Sequence, residues 1–236
     1  MLDGGCMEAL SNLGYWGVPA IYVAHLFVYA FTVASVSLAL HGYRRLGIGS
    51  AIEKRPLRPN QIADEIRWGL LTLLVMSVYF YLSVSAIDRL SPLSAISAII
   101  NLLIFIVAHD FYVYITHRAL HSKHLWRFHR EHHRAVRATP WSSLSMHPVE
   151  AMVNYLPFLL FAVFVPVSFY LFLGIYLYLL FGIVYSHSNY NVASASTSTL
   201  VNELNIFHQK HHSSKNGNFG LLYTHWDSVF GTKLPD

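Results

Sequence analysis

MVNYLPFLLFAVFVPVSFYLFLGIYLYLLFGIVYS, residues 152–186, runs for 35 residues without a charge. About 20 apolar residues suffice for a helix to cross a hydrocarbon core of about 30 Å, so the stretch is too long for one untilted span. Pro157 and Pro166 lie inside it, Pro166 near its middle. Proline removes a backbone donor and clashes with the preceding turn. The run therefore reads as two shorter helices, roughly 149–165 and 167–186, folded back at Val165-Pro166. One bent span is the alternative, and it would put everything after residue 186 on the other side of the membrane.

Working outward, residues 18–40 contain no Asp, Glu, Lys or Arg and are long enough to span. The stretch before them carries Asp3 and Glu8 and no base, unlike a secretory signal. A second apolar run covers 68–87. Asp88-Arg89-Leu90-Ser91-Pro92 reads as a turn, and a third run, 93–108, opens a helix drawn from 92 to 116. Of 16 basic residues, 15 fall in 44–67, 118–137 and 210–233. The positive-inside rule places those segments in the cytoplasm and the acidic tail, 1–17, outside.

Composition agrees. The chain has 236 residues, 54% of them hydrophobic and only 12% charged, which argues against disorder and against a soluble enzyme. Mean hydropathy is +0.41. Cys6 is the single cysteine, so an intramolecular disulfide, a cysteine zinc site and an iron–sulfur site are excluded. The net charge of +4 is better explained by membrane topology than by nucleic acid, and no nucleic-acid partner is expected. The expected fold is all-α: one integral membrane domain, 1–236, with about four to five membrane helices, some as hairpins. A cytoplasmic helical cap is expected from 117–148 and 187–236. Ala193 to Thr199 reads as a small, Ser/Thr-rich linker.

There are 15 histidines. His117 and His121 stand at i, i+4; His129, His132 and His133 at i, i+3, i+4; His208, His211 and His212 repeat that spacing. Such residues share a helix face, so each group is expected to aim several nitrogens at one place. Imidazole suits iron, zinc, copper or nickel. His25, His41 and His124 fit ordinary surface or core roles, and His109 and His225 fit either reading. Eight clustered imidazoles exceed the three or four ligands of one zinc, which points to two metals. No Glu is followed by His at +3, and no His-Glu-x-x-His is present, so the site is expected to be histidine-dominated and dinuclear.

At these residues the sequence resembles the fatty acid hydroxylase/sterol desaturase superfamily of membrane di-iron oxygenases. The resemblance runs over roughly 105–232, through Asp110 to His121, Phe128-His129-Arg-Glu-His132-His133, Thr139-Pro140-Trp141 and His147-Pro148-Val-Glu150. It continues in Ser186-His187-Ser-Asn189-Tyr190, His208-Gln-Lys-His211-His212, Asn218-Phe219-Gly220 and Trp226-Asp227 to Thr232. The Thr-Pro, His-Pro and His-Ser-Asn-Tyr segments are most similar to the C5 sterol desaturase (lathosterol oxidase) branch and its bacterial members. The resemblance implies two irons, replaceable by zinc in a purified sample, held by His117, His121, His129, His132, His133, His187, His208, His211 and His212, with His147 as a tenth. A helix start is the rival reading of His147. Where the hydroxylase branch often has a second histidine four positions after His187, this chain has Asn191.

Asp110, Glu131, Asn189, Asn191, His225 and Asp227 are candidates to orient the imidazoles, each with a surface or capping role as the rival. The resemblance further implies hydroxylation or desaturation of a sterol or fatty acyl lipid, with O2 as co-substrate. Two electrons come from cytochrome b5, ferredoxin or a reductase, since no flavin, haem or iron–sulfur motif is present. Arg127, Arg130, Arg134, Arg137, Lys210 and Lys215 could dock that carrier or face anionic lipid. The competing classes are a histidine-rich metal transporter, whose ligands belong near the midplane, and a zinc-dependent membrane hydrolase.

Overall fold

The computed structural model describes residues 14–87, 94–192, 200–221 and 223–235. The expected 88–92 turn, the 193–199 linker and most of the acidic tail lie outside these residues.

Among the described residues, four helices are long and apolar enough to cross a membrane. They are α1 (Gly17–Arg45), α2 (Gln61–Ala86), α3 (Ala95–Leu120) and, after the shorter apolar α4 (Pro148–Phe164), α5 (Phe169–Ser186). On α1 the buried residues Ile21, His25, Tyr29, Val33, Val36 and Leu40 repeat every three or four positions. Phe27, Phe31 and Leu38 are more than 70% exposed on the opposite side. Large apolar side chains facing outward suit lipid, in which packing rather than hydrophobic burial joins helices. The α2 face that meets α1 and α4 follows the small-residue pattern of such interfaces, with Gly69, Thr72, Ser77 and Ser83 buried. His25 lies there, its Nδ1 2.8 Å from the Ser77 hydroxyl, as a polar group satisfied within the bundle.

The long apolar run is divided between Phe164 and Phe169, and Pro157 stays inside α4. α4 ends at Phe164, two residues before Pro166, and α5 starts after Ser168, whose hydroxyl accepts from the Leu171 amide. The Asn101 amide of α3 donates to the Pro166 carbonyl at 2.6 Å and braces the turn. Phe158 sits 6.0 Å from Phe172 and 5.9 Å from Tyr176, ring to ring, so α4 and α5 run back along each other. The chain therefore returns to the side it came from.

That side carries a polar cap. After α1, β1 (Ser50–Ala51) pairs antiparallel with β2 (Tyr190–Asn191), which follows α5; Ser50 faces Asn191 and Ala51 faces Tyr190. Asn189, at φ +51, accepts from the Glu53 amide and donates to the Glu53 carbonyl. α6 (Leu200–Ser214) and the short α7 (His225–Val229) complete the cap. Gln209 of α6 is hydrogen-bonded to the Val136 carbonyl and the Ala138 amide. The arrangement is all-α apart from the two-residue strand pair.

Candidate metal centre

Nine histidines converge at the cap end of the bundle in two adjoining groups. His117, His121, His129, His133 and His211 form one; His132, His187, His208 and His212 form the other. Within each group the candidate ligand atoms lie within 4.8 Å of one another. They arrive from five places: the end of α3, the Trp126–His129 turn, the 3-10 turn His132–Arg134, the end of α5, and α6.

The expectation that each His-x-x-His-His group aims at one place is corrected. His129 and His133 turn to the first group while His132 turns to the second, and His208 and His212 turn to the second while His211 turns to the first. Neighbouring residues on a helix diverge by about 100°, whereas i and i+4 nearly superpose. Each motif thus lends an i, i+4 pair to one centre and its middle histidine to the other.

Second, the hydrogen bonds select the form of the rings. The Nδ1 atoms of His117, His132, His187 and His211 lie 2.7 to 3.2 Å from the carbonyls of Phe219, Ser145, Ile183 and Gly217. A carbonyl only accepts, so Nδ1 carries the proton and each Nε2 presents a bare lone pair. Those Nε2 atoms face other imidazole nitrogens: His117 to His129 at 3.0 Å, His211 to His133 at 3.0 Å, His187 to His132 at 3.3 Å and His187 to His208 at 3.0 Å. In the His187–His132 pair both lone pairs are bare and repel. A cation between them removes the repulsion, and ligands about 2.1 Å from one metal stand about 3.0 Å apart at right angles. The donor set fits two metal ions.

Burial keeps these rings neutral. It holds His187 at about 4 and, together with the neighbouring His117, His121 at about 3. Burial, followed by mutual repulsion, keeps His129, His132, His133, His208, His211 and His212 well below the ordinary imidazole value. Neutral imidazole is the metal-binding form.

His147 does not join the nine and is corrected: it is the N-cap of α4, its Nδ1 accepting from the Val149 amide at 3.1 Å. Its ring packs on Trp68 and Phe128. Pro148, with no N–H and a helical φ, starts the helix and pins His147 outside it. Near His147, a residue of the same motif meets the centre from behind a ligand. Glu150 is 2% exposed and its Oε1 lies 2.7 Å from Nδ1 of His129. The carboxylate orients that ring as the carbonyls orient the others. Glu150 stands in the first turn of α4, where an acid also suits the helix dipole, so no local pattern distinguishes it.

The proposed orienting residues divide. Asp227 is fully buried; its carboxylate accepts from the amides of Phe219 (2.8 Å) and Gly220 (2.7 Å) and from the Thr232 hydroxyl (2.7 Å). It thereby holds the loop whose carbonyls at Gly217 and Phe219 fix His211 and His117. At Gly220 a Cβ would collide with the Tyr223 carbonyl, which explains the glycine. Glu131 instead pairs with Arg130 and Arg134 at the surface, because its neighbours His132 and His133 occupy the inward positions. Asn189 and Asn191 tie the strand pair rather than the imidazoles. Asp110 and His225 pair with each other at 3.2 Å, away from the nine rings. Asp227→Ala should lower metal affinity roughly 10- to 100-fold, since it frees the loop behind two ligands; metal titration of the purified variant measures it, and unchanged affinity would refute the loop's role.

An apolar pocket reaches the centre. Its cavity volume is about 80 Å³, and His117, His129, His132, His187 and His208 line it together with Phe158 and Tyr176. A second apolar pocket of about 340 Å³, between α3 and α5, shares His109, Val113, Leu179 and Leu221 with it. α3 presents Ile99, Leu103 and Val107 outward, so the second pocket lies beside the lipid-facing surface.

Residues 102–232 match the family model described as fatty acid hydroxylase. Over 130 residues the chain is 31% identical to a Delta(7)-sterol 5(6)-desaturase of Aspergillus fumigatus, covering 55% of this chain and 38% of that protein. It is 23% identical over 194 residues to human lathosterol oxidase, covering 77% and 64%, and 27% identical over 189 residues to the Delta(7)-sterol 5(6)-desaturase of Eremothecium gossypii, covering 75% and 53%. The chain thus spans less than two thirds of the length of each of these relatives. No solved structure matches it.

Proposed function

The chain belongs to the fatty acid hydroxylase family, and on that premise we propose that it is a membrane oxidoreductase that hydroxylates or desaturates a lipid, using O2 and two external electrons. The observation that carries this reading is the meeting of two histidine groups with an apolar pocket beside the lipid-facing surface. An alkyl C–H bond offers neither an acidic proton nor a leaving group, so side-chain acid–base chemistry alone does not break it. Two irons held by the nine histidines would supply the missing oxidising power.

The chain's own residues do the rest. Carbonyls of Phe219, Ser145, Ile183 and Gly217 hold four imidazoles with Nε2 toward the centre, and Glu150 holds a fifth. Phe158, Leu180 and Ile183 exclude water from the lipid's path. The lipid approaches sideways from the bilayer between α3 and α5, past His109 and Val113. The sterol named in the relatives' titles is the first substrate to try. The cap lies on the cytoplasmic side, where 15 of 16 basic residues gather. An acidic electron carrier docks there. Arg130 and Arg134 are engaged by Glu131 and Arg137 reaches the Arg55 carbonyl, so Arg127 and Lys215, the latter over the Trp126 ring at 5.3 Å, offer the freer charges.

Purified chain is expected to hold about two irons and to consume O2 with a reductant and lipid. One zinc per chain with no oxygen uptake would overturn the reading. Glu150→Gln keeps an acceptor for His129 but loses the charge, and should lower iron affinity roughly 10-fold; Glu150→Ala should lower it further. Equal affinity in both variants and the parent would dismiss the carboxylate's part.

A further inference from the structure

Asp110 lies in the wall of the outer pocket, 5% exposed, on the α3 face that carries Phe105 and Val113. A buried carboxylate among apolar groups is costly unless its oxygens are hydrogen-bonded. Its Oδ2 makes no well-aligned hydrogen bond: Nε2 of His225 stands 3.2 Å away at ion-pair distance, off the hydrogen-bond line, and the buried indole N–H of Trp226 is the other donor beside the carboxylate. The imidazole is half exposed, at 54%, and so sits at the rim. Two phenols complete that rim: Tyr178 of α5 and Tyr223 also line the pocket, their hydroxyls 3.4 Å apart. The outer pocket is therefore apolar along its length and polar in one corner.

We propose that Asp110 and His225 bind a hydroxyl group of the lipid substrate, so that the chain takes a neutral lipid alcohol and rejects lipids ending in an anion. This rests on the lipid-oxidoreductase reading only in calling the bound lipid a substrate. A hydroxyl donates one hydrogen bond and accepts others. It can donate to Oδ2 and accept from the His225 ring, using both groups at once. A carboxylate or sulfate would bring a second negative charge against Asp110 in a low-dielectric pocket. An ammonium would have to share its corner with a histidine and two phenols, which match it less well. Asp110 stands seven residues before His117, about 10 Å along one helix, so the bound oxygen marks the near end of the lipid. The lipid body then passes His109 and Val113, which line both pockets, to reach the histidines.

The test uses the whole chain in phosphatidylcholine nanodiscs and radiolabelled probes. Cholesterol and octadecanol are compared with cholestene and octadecane, which lack the hydroxyl, with the anionic cholesterol sulfate and octadecanoate, and with octadecylamine. The parent chain is expected to bind at least one alcohol roughly 10- to 100-fold more tightly than its deoxy and anionic counterparts. Asp110→Leu should erase the preference over the deoxy probe, and Asp110→Asn should relieve the rejection of the anion. His225→Ala, at an exposed ring where folding is not at risk, should shrink the preference several-fold. A ratio of affinities is insensitive to the fraction of chain that folds. The same ratios in parent and variants, no binding of either alcohol to the parent, or tighter binding of octadecanoate or octadecylamine would overturn the site. Iron content measured on the same samples reports separately on the oxidoreductase reading.

Discussion

Replacing His187 by alanine should leave the chain with about one iron in place of two and cut lipid oxidation by at least ~100-fold, while His147→Ala keeps both irons. Nε2 of His187 is 3.3 Å from that of His132, 3.0 Å from that of His208 and 3.3 Å from that of His212. Its Nε2 thus lies within 3.3 Å of a nitrogen of every other member of its group. Removing the ring leaves three imidazoles around a hole in a fully buried site, where only water could replace the lost ligand. Effects on affinity of 10- to 100-fold follow from disturbing even the groups behind a ligand, so loss of the ligand itself should exceed them. His147 caps α4 and touches none of the nine; its loss should cost only about 1 kcal/mol of helix stability. Metal analysis and turnover of the two purified variants decide the matter. Equal iron in both would falsify the division of the ten histidines into nine and one.

The second large effect is with pH. The unfolded chain's histidines titrate near the ordinary value of about 6.5, whereas in the folded cap burial holds His187 at about 4 and His121 at about 3. His129, His132, His133, His208, His211 and His212 are likewise well below their ordinary value. With folded values depressed, the unfolded state binds more protons once the pH drops under about 6.5. Stability is then complete above that value and falls as the pH approaches the folded ones. Each such group contributes a slope of up to about 1.4 kcal/mol per pH unit. Several acting together should open the cap and release metal between about pH 6.5 and pH 5. Metal retention and tryptophan fluorescence against pH would show it. A cap that stays folded and keeps its metal at pH 4 would overturn this expectation.

Much of this architecture was legible before any coordinates. Pro166 near the middle of a charge-free run of 35 residues marked the fold-back, because it divides a run too long for one span into two helix-sized pieces, whereas Pro157 in the same run is carried inside α4. Thirteen histidines from His109 to His225, most of them in three tight groups, marked a metal site. His147 was misread because a histidine before proline looks alike whether it caps a helix or joins a centre. Glu150 was passed over because one buried acid has no local pattern to announce it. The split of the His-x-x-His-His groups was out of reach for a further reason: spacing tells which rings share a helix face, and not that two centres lie on either side of it.

Hydropathy and helical spacing, which act over a few residues, were enough to mark the apolar helices and the histidine-rich character of the site. Only the tertiary structure decided which imidazole joins which group, that Phe219 and Gly217 present their carbonyls to His117 and His211, and that Asp110 meets His225 beside an apolar pocket. Those contacts join residues as much as 115 positions apart, Asp110 to His225. They arise from how five chain segments pack around one cavity, and no local periodicity carries that information.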